Sequence, residues 1–351
     1  MKLNTAKKLT AGALALSMMF AMAVPMAFAD DSNKTFTNMD SVTVTKVYKK
    51  VGEGTSPEET FYLVQDGEGT VTENTENVTV PKIPTIKVDG EDTNYIASAH
   101  FAKGAATAEG TSGTFTIDLP NYDKVGVYTY NLKEVDGQTA GVTYRKKTIK
   151  LVVTVINQGD GKVKVAAVHT EETDGVKSSS FDDNTYTANT LSVNKKVTGN
   201  MGDKGHYFEF TIKLTPEGNK TYEDVYVVSG GSTGSGNATT IPVDGGNHTF
   251  KLKDSDTIAI INLPAGVTYD ISETAVDGYT TYVGDEETEA NKKNSTEGTT
   301  SGTATTVKFI NHKGGDVDTG VILDNAPYIL MLAVVAGGAM TLVIKKRREE
   351  E

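Results

Sequence analysis

Cysteine and tryptophan are both absent from this 351-residue chain. Without Cys there can be no disulfide, thiolate metal site or Cys nucleophile. Histidine is sparse. His100, His169, His206, His248 and His312 fall into no HxxxH or HxH pattern, so a metal site or a Ser-His-Asp triad built on His has little support. Methionine is nearly missing from the middle: seven of nine lie in the first 26 or last 21 residues, with only Met39 and Met201 between. Basic side chains number 34 against 46 acidic ones, a net charge of −12, which argues against nucleic acid as partner. What is abundant is Thr, with 50 residues, and Gly, with 35. Thr favours strands and Gly favours turns, so the expectation is an all-β protein rich in loops. The length allows about two domains.

The methionine-rich ends form a separate class of segment. Lys2, Lys7 and Lys8 make a basic start, residues 9–24 are almost wholly apolar or small, and Ala27-Phe28-Ala29 precedes Asp30. This is the anatomy of a secretory signal peptide over 1–29, cleaved between Ala29 and Asp30. At the other end, residues 326–344 carry no charge, and Lys345-Lys346-Arg347-Arg348 follow. Nineteen such residues are long enough to cross a bilayer as a helix, and the basic cluster holds its end in the cytoplasm. Just upstream stands Asp316-Val317-Asp318-Thr319-Gly320. Together, motif, apolar span and basic tail over 314–351 resemble the cell-wall sorting signal of Gram-positive surface proteins. In that family a sortase, a Cys transpeptidase, cuts between Thr and Gly, here Thr319 and Gly320, and an amine resolves the acyl-enzyme. Pilus subunits of the family often carry E-V-P-T-G or Q-V-P-T-G; this chain has Asp318 where they have Pro. The expected mature chain, 30–319, holds 27 basic and 42 acidic side chains, a net charge of −15 suited to a crowded, soluble surface protein.

Between the ends, strand-like stretches recur: 41–46, 126–132, 148–156 and 162–169, then 191–197, 207–214, 222–228, 249–252, 257–263, 268–272 and 306–310. They are alternating or β-branched and are separated by turn signals such as Asp136-Gly137 and Gly230-Gly231. About seven short strands per ~120–150 residues predicts two tandem immunoglobulin-like β-sandwich domains, 30–188 and 189–313. The halves also repeat one another. Each opens on a strand with Lys (VTVTK at 42–46, LSVNKK at 191–196), has a Glu on a late strand, and closes on a strand with Asn.

Lys and Glu are rarely buried, and each taken singly reads as a residue of a solvated strand face. Recurrence of all three in the same order points to covalent chemistry. Burial lowers the pKa of a Lys and raises that of a Glu. A neutral amine is a nucleophile, and a protonated Glu can hydrogen-bond the Asn carbonyl and shuttle protons. Attack on Asn Cγ with loss of ammonia would join first strand to last by an isopeptide bond. The reaction happens once and makes the protein no enzyme; no cofactor or metal is called for. Asp254, Asp256 and the acidic stretch 285–289 read as solvated loops rather than a cation site.

The segments VTVTK, VGVYTYNLKEVDG (125–137), LSVNKKVTG (191–199), NLPAGVTY (262–269) with Glu273, and FIN (309–311) resemble the major pilins of the Gram-positive, streptococcal type. Those are tandem sandwiches with internal Lys–Asn isopeptide bonds. The resemblance implies two triads, Lys46–Glu134–Asn184 and Lys195–Glu273–Asn311, with the Glu of each catalytic. Phe309 and Asn311 are two apart and share a strand face, whereas Phe181 and Asn184 are three apart. A bulge explains this, or Asp182 or Asp183 is the partner; Thr185-Tyr186 and the spacing to Leu191 fit the family with Asn184. Lys196 competes with Lys195, and the family favours Lys195.

The resemblance further implies a major pilin, the shaft subunit of a pilus, displayed on the cell surface. Its partners would be a sortase, further copies of itself, and cell-wall peptidoglycan, with minor pilins and a host or surface ligand as additional candidates. Thr319 would be the acyl donor and Lys177 the acceptor, with Lys124 and Lys133 next in order. The W-x-x-x-V-x-V-Y-P-K motif of other pilus types is absent. A wall-anchored adhesin or stalk that never polymerises shares the same features; a secreted β-sandwich enzyme lacks any nucleophile–base motif here.

Overall fold

The computed structural model describes residues 38–74, 78–172, 175–232, 235–316 and 326–349. The signal segment with Ala29 and Asp30, and the sorting motif with Thr319 and Gly320, lie outside them.

Residues 38–188 form a two-layer sandwich. Its strands are β1 (Ser41–Val51), β2 (Glu59–Gln65), β3 (Tyr95–Phe101), β4 (Thr111–Asp118), β5 (Gly126–Glu134), β6 (Ile149–Gly159), β7 (Lys162–Glu171) and β8 (Ser180–Thr198). One layer has the order β8-β1-β4, the other β7-β6-β5-β2-β3. Residues 189–313 repeat the arrangement with β9 (Phe208–Thr215), β10 (Tyr226–Gly230), β11 (Asn247–Leu252), β12 (Thr257–Pro264), β13 (Thr268–Glu273), β14 (Thr280–Val283), β15 (Ser295–Thr299) and β16 (Thr305–His312). There β10-β12-β8-β16-β14 faces β11-β9-β13-β15. Each half encloses its own core, around Tyr48, Phe61, Phe115 and Tyr128 in the first and Phe208, Phe210, Leu252 and Phe309 in the second.

The two halves share one strand. The sequence suggests separate strands at 181–186 and 191–197; they are the two ends of β8, a single 19-residue strand. Its first part lies parallel to β1, its second parallel to β16. No turn signal interrupts 184–198, and Tyr186 and Ala188, then Leu191, Val193 and Val197, are all buried, the inward face resuming after a register slip between Asn189 and Leu191. Strands β2, β3, β4, β14 and β15 are additions to the sequence expectation. Strands β14 and β15 are only four and five residues long, too short for alternation to register, whereas β2, β3 and β4, seven or eight residues each, do carry a strand pattern that the sequence reading passed over.

The halves also meet along a hydrogen-bonded joint. Thr221 N–H donates to Gln138 O at 2.7 Å, Ala140 N–H to Thr221 O at 2.8 Å, and Ala265 N–H to Thr187 O at 2.9 Å. Asn262, in the left-handed region at φ +64°, points its side-chain oxygen across the joint, where Thr55 N–H (2.8 Å) and the Tyr186 hydroxyl (3.2 Å) donate to it. Gly54 makes room for this contact: a Cβ there would lie 2.4 Å from Asn262 Oδ1.

The tail contains helix α1 (Ala326–Glu349), which includes the expected span 326–344. Several of its side chains lie outside the described set, and among the described residues no helix is long and apolar enough to cross a membrane.

Candidate crosslinking sites

Strand alternation carries Lys46 inward with Val44 and Tyr48, and Lys195 inward with Val193 and Val197. Lys196 is exposed. The period of two permits only one of each adjacent pair to face the core. Lys46, Asn184, Lys195 and Asn311 are each 0 % exposed and Glu273 is 1 % exposed; the Glu134 carboxyl is also buried. Both Glu residues end a strand of the opposite layer, β5 and β13, so each carboxyl reaches across the sandwich to a Lys and an Asn.

The register of the two sites is the same. Lys46 pairs with Phe181 and Tyr48 with Asn184; Lys195 pairs with Phe309 and Val197 with Asn311. In each half the Lys therefore meets its Asn diagonally, the Lys sitting opposite a Phe. The first site keeps this geometry by a bulge: between Lys46 and Tyr48 the register slips, three residues of β8 spanning two of β1. That slip accounts for the three-residue spacing of Phe181 and Asn184.

Polar contacts close each constellation. In the first, Lys46 Nζ donates to Glu134 Oε2 and to Asn184 Oδ1, and Asn184 Nδ2 donates to Glu134 Oε1 at 2.5 Å. In the second, Lys195 Nζ donates to Glu273 Oε2 at 2.6 Å and Asn311 Nδ2 donates to Glu273 Oε1. Asn311 Oδ1 is buried without a hydrogen-bond partner. Each carboxyl thus bridges the Lys Nζ and the Asn Nδ2, rather than holding the Asn carbonyl as the sequence suggests. Aromatic rings wall off water: Lys46 lies over Phe61 at 4.7 Å, Lys195 over Phe208 at 4.1 Å and Phe210 at 5.6 Å. Burial pushes the Lys195 ammonium down from 10.5 to about 8, against the opposing pull of Glu273 and Asp254.

The remaining expected sites are placed as follows. Lys177 is exposed and pairs with Glu171 at the end of β7. Lys124 is also exposed, and Lys133 is held by Asp66 at 2.7 Å. Asp254 accepts from Val197 N–H at 2.7 Å, and Asp256 from Lys253 N–H at 3.0 Å and Ser232 Oγ at 2.6 Å; these carboxylates tie down turns. Two residues escape the sequence reading. Asn262 belongs to a segment read only for its resemblance. Arg145, buried beside the exposed Lys146 and Lys147, looks like part of a basic surface run; its one distinguishing sign is that no other arginine lies outside the basic tail. Its main-chain N–H donates to Glu134 Oε1 at 3.0 Å.

Two sandwiches joined through one strand, each with a buried Lys–Glu–Asn set between first and last strand, define a class of tandem β-sandwich modules with a polar triad in each core. Residues 42–187 match the family described as Spy0128-like isopeptide containing domain, and residues 189–313 match a domain of unknown function. A pilin of Streptococcus pyogenes serotype M1 is 32% identical over 254 residues, which cover 68% of this chain and 74% of that protein. A pilus tip adhesin of Streptococcus pyogenes is 32% identical over 138 residues, 38% of this chain and 18% of that protein. The crystal structure of the major pilin from Streptococcus pyogenes aligns with 80% of this chain and 100% of its own, at 24% identity and a TM-score of 0.49. The chain belongs to the streptococcal-type pilins with isopeptide domains.

Proposed function

We propose that this chain is the shaft subunit of a sortase-assembled pilus, tied internally by two autocatalytic isopeptide bonds. The observation that carries the reading is the twofold recurrence of a buried Lys–Glu–Asn set at identical register positions. The Glu carboxylate takes a proton from the Lys ammonium. The neutral amine attacks Asn Cγ, the carboxyl passes that proton to the departing Nδ2, and the second proton shed by the attacking nitrogen ends on the carboxylate, leaving the Glu protonated. An amide forms between Lys Nζ and Asn Cγ, the Cγ–Nδ2 bond breaks, and one ammonia leaves per bond. Burial and fixed geometry supply the rate, so no turnover is involved.

Assembly follows from the remaining features. Residues 1–29 direct export and are removed after Ala29. Helix α1 and its basic end hold the precursor in the membrane while sortase cleaves between Thr319 and Gly320. The Thr319 acyl group then passes to Lys177 of the next copy, or finally to peptidoglycan. Donor and acceptor belong to different domains, so the contact is head-to-tail and does not close on itself. The exposure of Lys177 supports its reach by an enzyme.

The test is intact mass and fibre mapping. Residues 30–319 should weigh two ammonia less than their sequence, and Glu134→Ala or Glu273→Ala should each restore one. With its sortase, the full chain should give a covalent ladder in boiling detergent, linked Thr319 to Lys177 and lost in Lys177→Arg, whose guanidinium stays protonated. A full sequence mass overturns the crosslinks. A single band with both deficits intact favours instead a monomeric wall-anchored adhesin or stalk, a reading to which the match with a tip adhesin lends support.

A further inference from the structure

Arg145 has a side chain only 2 % exposed. Burying a guanidinium is costly unless its donors are used, and here three ends of one residue are engaged. The main-chain N–H donates to Glu134 Oε1 at 3.0 Å. Nε donates to Lys147 O at 3.3 Å. Nη2 donates to Glu172 Oε2 at 2.5 Å. Glu172 is the root of the turn that carries Lys177. Its N–H donates to Val176 O at 2.7 Å, Gly175 N–H donates back to Glu172 O at 2.9 Å, and Ser178 N–H donates to Thr170 O at 3.0 Å. Gly175 sits at φ +83°, where a side chain would be strained. The exposed lysine is thus mounted on a turn whose foot is fixed to a buried guanidinium, and the main chain of that same arginine is fixed to the Glu134 carboxyl.

We propose that Arg145 is a positioning residue for polymerisation: its guanidinium holds Glu172, and through it the turn that presents Lys177 to the sortase-bound acyl group of another copy. This rests on the assignment of Lys177 as acceptor. The guanidinium has a planar fork of donors that a Lys ammonium cannot reproduce. That explains an arginine at this position in a chain whose other cations, outside the basic tail, are lysines. Because the link to Glu134 runs through the main chain, substituting the side chain should leave the carboxyl held. The crosslink and the acceptor turn are therefore separable by experiment.

The experiment uses the full chain with its sortase and compares wild type with Glu172→Gln, Arg145→Lys and Arg145→Met. Glu172 is partly exposed, so Glu172→Gln keeps the test usable if Arg145→Met fails to fold. In all folded variants both ammonia deficits should persist. In Glu172→Gln and Arg145→Met monomers, the amides of Gly175 and Ser178 should exchange at least about tenfold faster, and linkage through Lys177 should fall by roughly tenfold or more, as misplaced reacting groups do. Arg145→Lys should fall between these and wild type. Wild-type exchange and wild-type Lys177 linkage in Glu172→Gln would overturn the role of Arg145 while leaving the acceptor assignment intact. A wild-type fibre linked elsewhere than Lys177 would overturn both.

Discussion

The two crosslinking sites share a register but not their surroundings. In the second, β8 and β16 run side by side without a bulge, the ammonium is flanked by Phe208 and Phe210, and Asn311 Oδ1 has no partner. In the first, a bulge brings Asn184 into line, the ammonium lies over the Phe61 ring, and the main chain of Arg145 adds a further contact to the carboxyl. The constant features are a diagonal Lys–Asn pair on parallel neighbouring strands and a Glu from the facing layer. Those are what the proposed crosslink requires: two nitrogens bridged by one carboxyl in a buried space. What surrounds them varies because it has only to exclude water and fix the carboxyl, and a ring or a backbone N–H can each contribute to that.

The largest test of this equivalence removes one tie at a time. Asn184→Ala and Asn311→Ala should each lower the unfolding free energy of their own domain by about 4–5 kcal/mol, taking the entropy of a disulfide-like crosslink over ~100 residues as guide. Loop-closure entropy grows so slowly with length that the two losses should agree within roughly 0.5 kcal/mol. Calorimetry of each variant reads this directly; a much larger loss in the first domain would show that the bulge depends on the bond.

A smaller effect separates the sites by their surroundings. In Asn311→Ala the uncrosslinked Lys195 keeps a folded pKa of about 8 against 10.5. The unfolded chain then binds the proton more tightly, so burial of the charged form costs stability in full below about pH 8, and the cost is relieved as pH rises toward 10.5. Stability of that domain should rise by roughly 2 kcal/mol between pH 7.5 and 9.5 relative to Asn311→Ala with Lys195→Met. Urea titrations at several pH values measure it, and parallel slopes for the two variants would remove desolvation of Lys195 as the cause.

The smallest effect lies at the joint. Asn262→Gly keeps the left-handed backbone accessible but withdraws the acceptor shared by Thr55 and Tyr186. The cost should be roughly 1–2 kcal/mol, with both ammonia deficits unchanged. Residual dipolar couplings should show the two halves reorienting more freely; unaltered couplings would assign the stiffness of the joint to the shared strand β8 and the backbone bonds of Gln138, Ala140, Thr221, Thr187 and Ala265.

Composition and local pattern were enough to determine the class of structure and to single out the Lys, Glu and Asn that it brings together. An excess of Thr and Gly without Cys or Trp implies sandwiches with many turns, and alternation along 42–46 and 191–197 sends Lys46 and Lys195 inward, because the strand period of two is local. The ordered Lys, Glu and Asn in each half were legible as a recurrence, whereas the choice of Lys195 over Lys196 and of Asn184 over Asp182 or Asp183 came from the resemblance to the pilins. Three things were decided only by the tertiary structure. The fusion of two expected strands into β8 depends on having β1 and β16 as parallel neighbours along its length, and that pairing joins residues more than a hundred positions apart. The alignment of Asn184 depends on a bulge, which is set by the register between strands and not by either strand alone. The burial of Arg145 in a run of exposed cations depends on Glu134 and Glu172, which reach it from other strands and turns; no local pattern records a partner brought by folding.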